Sequence, residues 1–444
     1  MQKEIKNIFS KLLPFVEIRK EIIHGSRQVS LYGDKYSITR WDDGKYQTAL
    51  REITRIYPKN GVEFVEYWFS SALMGILLDP GSFEQALGDM HSNLVGAIKK
   101  RFICIPVQGI DFRSDEIDFG FGSLLHREHG TLAEIIDKEE YRQSWQHNIN
   151  ALAECPCYFQ IETETDHENA INEAIFFSTY LTSLLSLFVG SSQYRANPPL
   201  LPWHKRTGRA SSLRKRKIAI YGSEAGDSQV YYSYCVNGTP REGKDYSLEF
   251  NLLTSGHDSN DSINASLALL RPEQGKASYH LIDPELIEKI FSIENSKLLS
   301  CVSRKEALDK KLFNAVSWFG KAVNSDSIED QFLFFTIAIE SLLVGDESEG
   351  KFSSQGSITQ KISERTAYLI GTTFDERLET EIETKKLYGI RSKIVHTGAR
   401  AATEDVIRIE NLCRNLIFGF STKNFASQDA YLKWIKTNQY GNGR

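Results

Sequence analysis

After about residue 284, apolar side chains recur at spacings of three and four, the pattern of helices that each bury one face. It predicts helices over 304–323, 328–344, 357–370, 376–395 and 403–420, joined by short polar connections that favour an up-down bundle. Upstream, 166–192 reads as a further helix, with Asp166, Glu168 and Glu173 near its start, a Gly near its end and Pro198 and Pro199 beyond. Its stretch 174–190, AIFFSTYLTSLLSLFVG, carries no charge but holds five Ser or Thr side chains, and it is shorter than the roughly 20 residues that cross a bilayer. We read it as a buried helix. From the N-terminus to about residue 165, β-branched and aromatic runs such as RFICIPV (101–107) alternate with Gly- and Asp-containing turns, which favours strands with some helices. IAIYG, VYYSYCV and YSLEFNLL predict a hairpin-like β segment over 218–253. The fold class that follows is α+β. An N-terminal α+β region (1–284), with a break near 195–217, precedes an all-helical region (285–444).

Composition sets limits on this picture. The 444 residues, 41% hydrophobic and 25% charged, are ordinary globular material and enough for about two to four domains. A net charge of -5 excludes a polycation spread over bulk nucleic acid, so any phosphate contact is local. The acidic excess lies upstream of residue 301, and the segment 301–444 is close to neutral. Six scattered cysteines lack the density of a disulfide scaffold. The start MQKEIKNIFSKLLPF has no long apolar run before a small-residue cleavage site, so the expectation is a cytoplasmic protein with no membrane partner.

The candidate chemistry lies in 388–398, YGIRSKIVHTG, near the end of the fourth predicted helix of the bundle. Arg391 precedes His396 by five positions, about 140° around a continuous helix, so the expectation is that the helix frays or stops to let them converge, with Gly398 as its stop signal. Guanidinium is a permanent bidentate donor to phosphate oxygens, and imidazole both takes and gives protons near neutral pH. The macrodipole alone also favours cations at a helix C-terminus. Together with NAVSWFGKAVNSDSIEDQFLFFTIAIESLLVGDESEG (314–350), about fifty residues upstream, this segment resembles the RxxxxH motif of the HEPN (higher eukaryotes and prokaryotes nucleotide-binding) superfamily, in its Apea-like branch. The resemblance covers about residues 303–420. It implies a helical bundle that forms a homodimer, with the motifs of two copies meeting in one ribonuclease site. Ser392 stands where many members carry Asn or another polar side chain.

On that resemblance Arg391 and His396 take the catalytic roles in a metal-independent endoribonuclease that needs no cofactor. The RNA 2′-hydroxyl attacks the adjacent phosphate, His396 serves as base or acid, and Arg391 stabilises the phosphorane. Transfer RNA is the substrate expected, prokaryotic antiphage defence the setting, and a phage-derived or nucleotide signal the trigger. Glu340, inside the apolar FLFFTIAIESLLV, either pairs with a cation such as Arg391 or is a partly exposed residue near a helix end. Tyr388, one turn before Arg391, either donates to substrate phosphate or packs in a core; Ser392 and Lys393 are candidates for substrate contact. The competing readings are a non-catalytic HEPN binding or dimerisation module serving an N-terminal sensor, and an N-terminal enzyme.

Other motifs are weaker. GDESEGK (345–351) lacks the Ser or Thr that would hold magnesium and follows a helix, so it is rejected as a phosphate loop. His126, Glu128 and His129, with His147 downstream, fit zinc-protease spacing poorly, and Cys155 and Cys157 lack a second thiol pair. The run KRTGRASSLRKRK (205–217), flanked by Trp203 and Tyr221, is either a solvated linker or an RNA guide with stacking aromatics.

Overall fold

The computed structural model describes residues 2–19, 28–31, 34–112, 114–126, 128–130, 155, 157–192, 219–220, 228–237, 245–254, 280–325, 327–344 and 357–441. The basic run 205–217, Trp203, Tyr221, His147, the segment 345–351 and the break near 195–217 lie outside them. The fold is α+β. Its elements begin α1 (Gln2–Leu12), β1 (Val16–Arg19), β2 (Gln28–Leu31), β3 (Asp34–Trp41), α2 (Asp43–Ile56), α3 (Val62–Leu78) and α4 (Phe83–Gly96). There follow β4 (Lys99–Gln108), β5 (Ile110–Phe112), β6 (Glu116–Asp118), β7 (Ser123–His126), β8 (Cys157–Thr165), α5 (His167–Ser192), β9 (Ala219–Ile220), β10 (Ser228–Asn237), β11 (Asp245–Thr254) and β12 (His280–Ile282). The rest is helical: α6 (Pro284–Ile290), α7 (Ser296–Ser300), α8 (Ala307–Asn324), α9 (Ile328–Leu343), α10 (Ile358–Ile370), α11 (Phe374–Thr397), α12 (Thr403–Lys423) and α13 (Gln428–Tyr440).

Three sheets are present among the described residues. β1, β3 and β2 form a small antiparallel sheet in that order; β5 pairs in parallel with β12. The third has the order β11-β10-β4-β8-β7-β6, with β9 also on β4, and the expected neighbours β10 and β11 lie side by side. By its contacts the chain divides into two compact units, one of residues 1–103, 161–174 and 232–249, the other of 104–160, 175–231 and 250–444.

The first unit buries Ile5, Phe9, Leu50, Ile53, Val65, Phe69 and Leu73 in one core. Helices dominate residues 43–96, where the sequence favoured strands with some helices. α3, VEFVEYWFSSALMGILL, is apolar nearly all round, so no periodicity in it separates a helix from a buried strand. Its first turn is held by carboxylates: Gly61 N donates to Asp166 Oδ2 (2.7 Å) and Phe64 N to Glu168 Oε2 (2.9 Å).

The second unit holds the helical bundle, and residues 175–189 of α5 form part of its core. Tyr180, Leu181, Leu184, Leu185, Leu187 and Phe188 are inaccessible to solvent. The helix is long and apolar enough to cross a membrane by length and composition, but most of that stretch is buried against protein. Two of its polar groups bond to the bundle, the Tyr180 hydroxyl donating to Leu298 O (2.5 Å) and Leu187 O accepting from Arg414 Nε (3.1 Å), while the hydroxyls of Ser178, Thr182, Ser183 and Ser186 donate to carbonyls of their own helix. The Phe176 and Tyr180 rings stack on Phe313, with centroids 5.0 and 4.8 Å apart. Gly320 of α8 lets α5 approach closely, since a Cβ there would lie 2.6 Å from Ser183 Cα.

Four of the long bundle helices start on a side-chain cap, and α8 and α12 do not. Ser327, Ser357 and Ser427 accept from the backbone N–H three residues on, and Thr373 with Glu376 makes a reciprocal capping box for α11. α8 packs on α9, α10 on α11, and α12 against α8, α9 and α10. The end of α9 is sealed by cations, Arg365 Nη1 donating to Leu343 O (2.5 Å) and Lys311 Nζ to Val344 O (3.1 Å). The helices expected over 304–420 are all present within a few residues, and α13 is an addition.

Candidate functional site

The motif occupies the last turns of α11. Gly398 adopts the left-handed conformation (φ 64°, ψ 24°) that suits a residue without Cβ, and its N–H donates to Ile394 O (3.1 Å). The stop therefore comes after His396, because the helix runs unbroken through Thr397. This corrects the expectation that fraying brings Arg391 and His396 together in one chain. The C-terminal hydrogen bonds keep the last turn intact, and the two side chains stay about 140° apart around the axis.

Tyr388 and Arg391 face α9, meeting Thr336 and Glu340, which lie four residues apart on that helix. The Tyr388 hydroxyl donates to Thr336 O (3.4 Å), and Arg391 Nη2 lies 3.6 Å from Glu340 Oε1. Tyr388 is only 5% exposed. Burial chiefly, then the Glu340 charge, pushes its phenol well above the usual tyrosine range. The ring therefore stays neutral. Glu340 and Arg391 are both partly buried, and Arg391 Nε has no hydrogen-bond partner. Burial raises the Glu340 carboxyl above its ordinary value, and the Arg391 charge opposes this.

His396, Ser392 and Lys393 are exposed. The His396 ring makes no hydrogen bond or ion pair among the described residues. From Arg391 around to His396 the helix surface passes Val395 at about 40° and Ser392 at about 100°. Val395 is exposed, as are Phe374 (78%), Leu378 (47%) and Ile382 (46%) on the same helix. Leu378 and His396, eighteen residues apart, lie on one line along it. Thr336 and this apolar edge escaped the sequence reading. The four-residue spacing of Thr336 and Glu340 was the available signal for the first.

A second polar cluster ties α11 to α12. Glu383, buried, pairs with Arg408, which also binds Asp405 (2.9 Å). The other candidates are less organised. His129 Nε2 lies 3.1 Å from Asp115 and His126 Nε2 3.9 Å from Asp111. No group of three or more His, Cys, Asp or Glu among the described residues is placed to hold a metal ion. Cys155 and Cys157 are buried and form no disulfide among the described residues, with Cys157 Sγ 3.7 Å from Val107 O.

The arrangement offers a permanent cation tethered to a carboxylate at the edge of the bundle and, around the same helix, an accessible imidazole. Comparison with protein-family models, curated proteins and solved structures gives no match.

Proposed function

We propose that the chain is a metal-independent endoribonuclease of the HEPN type, acting as a cytoplasmic homodimer. One observation supports this reading most directly: the sector of α11 between Arg391 and His396 is lined by exposed Val395 and Ser392, so a second copy seated there touches both motif residues. Pairing would let the His396 of one copy share a phosphate with the Arg391 of the other. The 2′-oxygen bonds to phosphorus while an imidazole removes its proton, and the P–O5′ bond breaks as O5′ takes a proton from an imidazolium or water. Arg391 neutralises the equatorial oxygens. The products are a 2′,3′-cyclic phosphate and a 5′-hydroxyl, and DNA, lacking the 2′-hydroxyl, is not cut. Ser392 and Lys393, both exposed, are the residues we assign to contact with the RNA backbone. Transfer RNA is the substrate we favour and antiphage growth arrest the setting, both from the family resemblance.

The test is purified wild type, Arg391→Ala and His396→Ala with total RNA in excess chelator, followed by chemical mapping of the new ends. Fragments with 5′-hydroxyl ends from wild type alone support the reading. Cleavage that survives in His396→Ala, or that requires a divalent ion, overturns it.

A further inference from the structure

We infer that Trp318 and Phe334, with Lys321, form a stacking platform for an unpaired base of a single-stranded RNA; the inference rests on the ribonuclease reading and adds a base contact to the phosphate and backbone contacts of the motif. Trp318 of α8 and Phe334 of α9 sit side by side with ring centroids 5.5 Å apart, and both are partly exposed. Lys321, exposed and one turn beyond Trp318, lays its ammonium 4.7 Å from the Trp318 centroid and 6.0 Å from that of Phe334. It pairs with no carboxylate among the described residues. This combination matches a nucleotide, which presents a flat π-face and an anion a few ångströms apart. A similar set, Phe425 and Trp434 with Lys423 5.3 Å over the indole, is also partly exposed but lies on neither α9 nor α11, which carry Glu340 and the motif.

In the free protein the Lys321 ammonium sits over the indole. An exposed cation–π contact is weaker than base–aromatic stacking, so a base displaces the ammonium and the flexible lysine turns to the flanking phosphate. Position favours the same substrate. Phe334 precedes Glu340, the partner of Arg391, by six residues on α9, about 9 Å along the axis and a third of a turn around it. A strand whose scissile phosphate lies at Arg391 reaches the platform within about two nucleotides. Stacking is tolerant of base identity, so the platform adds affinity and register, not sequence readout.

The experiment measures binding of a labelled single-stranded RNA ten-mer to the full chain carrying His396→Ala, so that binding is read whether or not the protein cleaves. Trp318→Leu keeps the bulk and loses the π-face, and is expected to weaken binding about 5- to 100-fold, whereas Trp318→Phe retains most of it. Lys321→Ala, at an exposed position, should lower the slope of log affinity against log salt by about 0.7. Unchanged affinity in Trp318→Leu and Lys321→Ala overturns the proposal. So does a Trp318→Leu protein that loses its dimer while each folded dimer binds as before, which would make the face an interface between copies. Melting curves identify a variant that fails to fold, and Lys321→Ala then decides. Absence of cleavage by wild type with these binding effects intact removes the nuclease reading alone.

Discussion

Glu340 sits in an environment that favours its neutral form, since burial outweighs the pull of Arg391. A carboxyl whose pKa is raised on folding contributes stability below its unfolded value and loses it as pH rises through the folded value. The melting temperature of wild type minus that of Glu340→Gln should therefore fall as pH increases from the ordinary glutamate range upward, then level off. A difference that grows with pH would mean that the Arg391 pair dominates. Gly398 acts on the other motif residue. Forcing a Cβ into its left-handed conformation costs about 1 kcal/mol, so Gly398→Ala should lower the denaturant midpoint and loosen the turn carrying His396, and Gly398→Asn should retain more of both. RNA cleavage beside chemical denaturation checks this. The motif was legible because Arg391, His396 and Gly398 are close in sequence. Which side of α11 each faces depended on α9, fixed by Thr336 and Glu340 some fifty residues away.

At the scale of elements, the bundle helices were legible because each has a polar face, and α9, α10 and α11 also open on a capping Ser or Thr. α3 hid because it has almost no polar face, and α13 because its thirteen residues bury only Tyr431, Leu432 and Ile435. The docking of α5 into the bundle could not be read either. Its packing depends on one small residue, Gly320, whose role is visible only beside Ser183. Gly320→Ala places a methyl group inside Ser183 and should destabilise the second unit by about 1–3 kcal/mol. Calorimetry would show the loss, and Gly320→Ala with Ser183→Gly should recover part of it. Equal stability of Gly320→Ala and wild type would mean that α5 and α8 separate at little cost.

For the whole molecule the central prediction concerns two copies. Arg391→Ala and His396→Ala should each be inactive, yet co-expression should restore partial cleavage, because mixed dimers hold one of each intact residue facing the other. If the mixture stays as inactive as the single variants, both residues must be intact within the same copy. Leu378→Glu, on the line of His396, should shift the protein toward monomer in sedimentation and reduce cleavage with it. The bundle also borrows a helix encoded far upstream: Leu187 O and Arg414 are separated by 227 residues, and Tyr180 and Leu298 by 118. During synthesis α5 leaves the ribosome long before α8 and α12 exist to cover it, at about 5–20 residues per second. A helix that is apolar and uncharged over 174–190 must then wait for its partners, which exposes the nascent chain to aggregation and makes closure of this core a late, non-local step. A fragment of residues 285–444 lacks that helix altogether, and it should be recovered as aggregate or as an expanded, dye-binding state, becoming compact when 167–192 is supplied in trans.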